Sequence, residues 1–205
     1  MKTLKIIILA VVLVIASATA YQLVFKNLLE DRTISRVVQE TVSRPDIPVA
    51  FSYPSGEAGM TLIEPPTVDG EMLNHAFILM RTEAYREYQT NDFAGEAPAA
   101  ISLFMFNFPE QAEAENVEPI GRIARLQNWA LDNQSLTSFD SVENTPDIVE
   151  LDGVKALRYT AEGAFNQDIY LAAYSGNIYM FVGQYESVED DIYTVFQELV
   201  ASISF

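Results

Sequence analysis

The chain is 205 residues long, has no cysteine, and carries 29 acidic against 12 basic residues for a formal charge of −17. The missing thiols exclude disulfides, thiolate metal sites, cysteine nucleophiles and the acylated cysteine of a bacterial lipoprotein. The charge makes nucleic acid a poor partner, because phosphate backbones are held by lysine and arginine.

Lys2 and Lys5 precede an uncharged run from Ile6 to Ala16, the basic and apolar parts of an export signal. Ala18-Thr19-Ala20 offers a small-x-small cleavage site, yet Tyr21, Leu23, Val24 and Phe25 extend the apolar character. As a helix, Ile6 to Phe25 is long enough to cross about 30 Å of hydrocarbon at about 1.5 Å per residue. Residues 1–25 are therefore expected to be an uncleaved membrane anchor; cleavage after Ala20 would secrete the chain instead. The leading lysines keep the N-terminus cytoplasmic and the rest extracytoplasmic. A type IV pilin start is disfavoured, since its Gly-Phe processing motif is missing. Residues 26–48 read as a stalk, with Leu28, Leu29, Ile34, Val37, Val38 and Val42 at near-helical spacing; a partly disordered spacer is the alternative. Pro45 and Pro48 end any helix and set the start of the domain at Val49.

Val49 to Tyr53 and Met60 to Glu64 are strand candidates around Pro54-Ser55-Gly56, which predicts a hairpin. After a loop through Pro65, Pro66 and Asp69-Gly70 come a strand at Ala76 to Arg81, a helical turn at Glu83 to Thr90, and a loop at Asn91 to Pro98. Ala100 to Phe108 is the strongest strand upstream. Ile101, Leu103 and Met105 alternate with Phe104, Phe106 and Phe108, so both faces are expected to be buried. The acidic run Glu110 to Glu118 has little to bury. Pro119 suits the first turn of a helix over Ile120 to Asn133, whose Ile120, Ile123, Ala124, Gln127, Ala130 and Leu131 share one side. Trp129 falls nearly opposite and is either a shield at the core edge or a partner surface. Ser135 to Thr145 is a polar connection.

The last third is the most ordered stretch of the pattern. Asp147 to Leu151 and Val154 to Glu162 flank Asp152-Gly153, a dipeptide suited to the positive φ angles of a type I′ turn. Asp168 to Tyr174 and Ile178 to Tyr185 flank Ser175-Gly176-Asn177, so an antiparallel meander is predicted. Ile178 to Val182 is apolar on both faces and reads as a central strand. Ser187, followed by Glu189, Asp190 and Asp191, reads as the cap and acidic first turn of a final helix. Its stripe is Val188, Ile192, Phe196, Leu199, Val200 and Ile203.

No catalytic or metal residue is assigned. The lone histidine, His75, has no H-E-x-x-H context, and no Gly-x-Ser-x-Gly elbow or phosphate-binding glycine loop occurs. Asp190-Asp191 or Glu110 to Glu118 could offer oxygen ligands to calcium, but no D-x-[DN]-x-[DN]-G loop accompanies them. Tyr170, Tyr174 and Tyr179, with Phe104, Phe106, Phe108, Phe181 and Tyr185, alternate along adjacent strands. They form core if a helix covers them and an aromatic platform if none does. Trp129, Tyr170, Tyr174 and Tyr179 are thus the candidate partner surface.

Phe51-Ser52-Tyr53-Pro54-Ser55-Gly56, Asp152-Gly153-Val154-Lys155-Ala156 and the ending from Tyr185 to Phe205 together resemble the Mog/PsbP-like superfamily, over roughly Val49 to Phe205. The resemblance implies an α+β fold, an α/β/α sandwich around an antiparallel sheet, with a closing helix that runs into a short apolar strand. It implies no catalytic residue and no cofactor, and it points to binding or assembly. The expectation is a membrane-anchored extracytoplasmic domain that docks another envelope protein. The alternatives are a divalent-cation or small-ligand module and a hydrolase built on dispersed carboxylates.

Overall fold

Two tight turns organise the C-terminal half. Asp152 and Gly153 have φ of 45° and 79°, and Ser175 and Gly176 have 46° and 75°, so both pairs supply the left-handed conformations of a two-residue hairpin. They join β6 (Asp147–Leu151) to β7 (Val154–Ala161), and β8 (Asn166–Tyr174) to β9 (Asn177–Tyr185). With β7 antiparallel to β8, the predicted meander is present. The computed structural model describes residues 37–67, 72–92, 96–108 and 119–205. The expected anchor, the first part of the stalk, the Asp69-Gly70 turn and the Glu110 to Glu118 run lie outside the described residues.

Upstream stand β1 (Val38–Arg44), β2 (Ile47–Ser55), β3 (Met60–Ile63), β4 (Leu73–Arg81) and β5 (Ala100–Asn107). The helices are α1 (Thr82–Thr90), α2 (Pro119–Asp132), α3 (Gln134–Thr137) and α4 (Asp191–Ala201). The strand order is β1-β2-β3-β4-β5-β9-β8-β7-β6. All neighbours are antiparallel except β2 and β3, which share the single parallel pair Ser55 with Met60.

Alternation along the central strands sends side chains into two separate cores. From β5, β8 and β9, Leu103, Tyr170 and Phe181 enter the first, while Phe106, Leu171 and Met180 enter the second. Helix α4 covers the first through Ile192, Val195, Phe196, Leu199 and Val200. Helix α2 covers the second through Ile123, Leu126 and Ala130. The sheet is thus packed on both faces, as expected for β5 and β9, and each large apolar side chain buried there contributes roughly 1.5–3 kcal/mol.

The first face has a second cover. Val49, Phe51 and Tyr53 of β2 join Phe77, Leu103 and Phe181 in one cluster, with the Phe51 and Phe77 rings edge-on at 5.7 Å. The β1–β2 hairpin therefore folds across the face that α4 also covers. The free edge of β2 bonds the C-terminal tail, Ala50 N to Ser204 O at 2.7 Å and Ser204 N to Ala50 O at 2.9 Å. The Ser202 hydroxyl accepts from Ser52 N at 2.9 Å. Where α4 crosses β9, the Phe196 ring lies over Gly183 so closely that a Cβ there would stand 2.4 Å from it.

Five expectations change. Residues 38–44, expected in the stalk, form β1; Val42 is its one buried residue, so pairing with β2, not its own pattern, makes it a strand. The hairpin expected at Pro54-Ser55-Gly56 is absent. Strand β2 runs on through Ser55, Gly56 turns at φ 101°, and Gly59 passes so close to the Pro54 and Ser55 carbonyls that a Cβ would lie 2.6 Å away. The last helix begins at Asp191, not Ser187, because the Asp190 carboxylate accepts the Glu186 and Ser187 N–H groups and holds that stretch as a turn. Val188 is consequently exposed. The buried stripe of α2 is centred on Leu126, with Leu131 outside, and Ser135 to Thr145 includes α3 and a short 3-10 turn at Phe139–Ser141.

Candidate functional site

Tyr193 and Gln197 are one helical turn apart on α4 and face the same way. Both reach a carboxylate on the sheet: the Tyr193 hydroxyl donates to Asp168 Oδ2 at 3.2 Å and Gln197 Nε2 donates to the same oxygen at 3.1 Å. From β7, Arg158 adds two parallel bonds, Nε to Oδ1 at 3.0 Å and Nη2 to Oδ2 at 2.8 Å. Asp168 is wholly buried and receives all four donors. A buried carboxylate survives only when so compensated, since leaving it unpaired costs several kcal/mol on the order of the whole stability.

The network shapes its surroundings electrically. The bonds to Asp168 drive the Arg158 guanidinium further above its already high pKa. Its Cζ sits 5.2 Å from the centre of the Tyr170 ring, a cation–π contact. Burial, with the Asp168 charge adding, pushes the Tyr170 phenol up to about 12. Tyr193 is raised for the same two reasons, and its ring packs on Tyr185 at 4.5 Å.

Beside this network lies an open groove of about 330 Å³ between α4 and β6. Tyr170, Val149, Leu151 and Val200 give it apolar walls, and Gln197, Glu150 and Asp152 supply polar groups. Tyr170 and Gln197 thus belong to both the groove and the buried network. At its far end Asp152 Oδ2 accepts the Phe205 N–H at 2.9 Å, and the Phe205 ring packs between Tyr174 at 5.0 Å and Tyr179 at 5.3 Å.

The four sequence candidates therefore separate. Tyr179 is fully buried under Phe205, and burial pushes its phenol up to about 12. Tyr170 is 5% exposed and serves as groove wall. Tyr174 is 37% exposed, beside the tail. Trp129 lies on the other face of the sheet, half-buried against Phe106 at 5.3 Å, and so packs the second core. Tyr170, Tyr174 and Tyr179 share one region; Trp129 does not join them. His75 stacks on Phe77 at 6.5 Å. Among the described residues no group of three or more His, Asp or Glu is placed to hold a metal ion, and no helix is long and apolar enough to cross a membrane.

The Arg158–Asp168 pair was not anticipated, although the sequence held a signal for it. Asp168 opens an otherwise apolar strand, and the hairpin register sets Arg158 diagonally across from it, within reach of a long side chain.

No family model matches the chain, and no curated protein does. Among solved structures it is similar to the cyanobacterial PsbP protein CyanoP of Synechocystis sp. PCC 6803, with TM-score 0.51 and 12% identity over 83% of this chain and 94% of that one. A second similarity, TM-score 0.39 and 10% identity, is to a Bacteroides thetaiotaomicron VPI-5482 protein, covering 80% of this chain and 47% of the other. At such identity the likeness to CyanoP concerns architecture alone, and on that ground the nine-stranded, mostly antiparallel sheet is a PsbP-like fold.

Proposed function

We propose that the chain is a membrane-anchored, extracytoplasmic PsbP-like domain that docks another envelope protein and performs no catalysis itself. The observation that carries this reading is the α4–β6 groove. Its apolar and aromatic side chains, Val149, Leu151, Tyr170 and Val200, are interleaved with Glu150, Asp152 and Gln197, and the adjacent buried charge of Asp168 is committed to Arg158, Tyr193 and Gln197. Such a mixed surface suits a side chain of another protein, and the adjacent Asp168 carboxylate, already holding four donors, is not free to act as an acid or base. The PsbP-like fold and the apolar run from Ile6 to Phe25 support the same reading.

The test has two parts. The full chain should stay with membranes through alkaline carbonate extraction and be cut by protease added outside intact spheroplasts; recovery in the soluble fraction rejects the anchor. A photo-crosslinking amino acid at Val149, in the groove, should give one discrete adduct in intact envelopes, and the same probe at Asp132 none. Absence of any Val149 adduct rejects docking through this groove.

A further inference from the structure

A second surface, at the N-terminal end of α4, has walls that call for a particular occupant. Two depressions, of about 450 Å³ and 350 Å³, adjoin on either side of Arg81 and Ala84, which line both. The floor is small and apolar: Ala58 and Gly59 at one end, Ala84 in the middle, Pro98, Ala99 and Ile192 at the other. Glu57, Glu83 and Glu87 stand along the first stretch, and Glu186, Asp190 and Asp191 along the second. Among the described residues Arg81 is the one cation in either wall, and it is already engaged, 3.3 Å from Asp191.

The remaining acids are not used internally. Asp190 accepts backbone N–H groups, but the Glu57, Glu83, Glu87 and Glu186 carboxylates make no hydrogen bond or ion pair among the described residues. Glu83 and Glu87 are also four apart on α1, a like-charge spacing that weakens a helix by a few tenths of a kcal/mol. The trough thus combines a largely apolar lining with acidic side chains along both stretches, of which Asp191 is paired with Arg81.

We propose that this trough docks an extended, lysine- or arginine-bearing segment of a partner protein, small apolar side chains down and cationic side chains on the rims. The inference rests on the docking role proposed above and names the chemistry of one partner segment. Charge complementarity decides the occupant: the surrounding chain carries −17, so a cationic segment is drawn in and an anionic or purely apolar one is not.

The test uses the full chain in detergent micelles and a fluorescein-labelled decapeptide of alternating lysine and alanine, with the glutamate–alanine peptide as control. Anisotropy is read at physiological ionic strength, where screening over about 8 Å suppresses diffuse attraction. Neutralising the trough with Glu57→Gln, Glu83→Gln and Glu87→Gln together should weaken binding about tenfold, the sum expected of exposed pairs. Removing the same charge elsewhere, with Asp132→Gln, Glu143→Gln and Glu162→Gln, should change it less than about twofold. Ala84→Trp fills the floor without altering charge and should abolish binding while the far-UV spectrum stays native. Equal loss from both charge triples, or undiminished binding to Ala84→Trp, overturns the proposal in favour of general electrostatic attraction. Concentration-dependent dimerisation that Ala84→Trp removes also overturns it and gives the trough to a second copy. Peptide binding that survives while the chain fails carbonate extraction and Val149 crosslinking would reject the wider docking role and leave the trough standing.

Discussion

The two faces of the sheet are closed by different means. Over the first, α4 is fixed by directional bonds: Tyr193 and Gln197 on Asp168, which Arg158 of β7 also holds, the Ser202 hydroxyl on β2, and the paired amides of Ala50 and Ser204. Over the second, α2 rests on the sheet through Ile123, Leu126, Trp129 and Ala130, and the polar ties there include the Tyr159 hydroxyl to Thr137 O and the Thr137 hydroxyl to Ala130 O. Hydrophobic contact is non-directional, whereas a four-donor carboxylate admits one arrangement. The carboxylate therefore positions the first cover, while apolar packing carries more of the second. The groove and the trough both include residues of α4 or its start, the positioned side.

This contrast can be broken from the first face outward. Phe196→Ala removes the ring over Gly183 and should cost about 4 kcal/mol in urea unfolding. Arg158→Ala leaves Asp168 buried with only Tyr193 and Gln197, and should cost about 3 kcal/mol, at the lower end because Arg158 is partly exposed. A double-mutant cycle with Gln197→Ala should show coupling, since both act on one carboxylate; strict additivity would mean the network does not hold α4. Leu126→Ala, on the second face, should cost about 2–3 kcal/mol, with faster amide exchange confined to α2. If α4 amides exchange faster as well, the faces are not independent.

The alkaline limb bears on both faces, with Tyr159 of the second core also raised by burial and the other raised tyrosines towards the first. Tyr170 and Tyr179 have phenols raised to about 12 by burial, against about 10 in an unfolded chain. A raised folded value means the unfolded chain loses its proton first, so stability is full below about pH 10 and falls as pH rises towards 12. Tyr53, Tyr185 and Tyr193 move in the same direction and also lie towards the first face. The tyrosinate absorbance of the buried tyrosines should therefore rise together with loss of the far-UV signal; titration of all ten tyrosines near pH 10 in a folded protein would contradict the burial. The smallest effect belongs to Leu131→Lys, on the outward side of α2, within about 0.5 kcal/mol of the parent.

Elements that carry their own instructions were legible in the sequence. Asp152-Gly153 and Ser175-Gly176 encode positive φ locally, and the alternation of Ile101 to Phe106 declares two buried faces without reference to any partner. What was hidden depends on distant residues. Strand β1 has one buried side chain and becomes a strand through β2; β2 itself is completed by the tail, about 150 positions later in the chain. On α2, placing the stripe one residue out of phase moved Leu126 outside and Trp129 away from the core, although Trp129 packs on Phe106. For the site, Tyr170 was identified as a residue, but its setting was not. Its neighbours Gln197 and Leu151 come from elements whose relative placement is fixed by a buried ion pair that only a hairpin register reveals.

The junction of β5 with β9 has a consequence for how the molecule is made. Ile101 pairs with Gly183 and Asn107 with Asn177, so the amino-terminal strands acquire their neighbour only after some seventy further residues have emerged. During vectorial synthesis β5 must wait with a bare edge, and contacts of such long span form slowly. Delayed closure at that seam makes the half-built sheet the stage at which a holding chaperone would matter most.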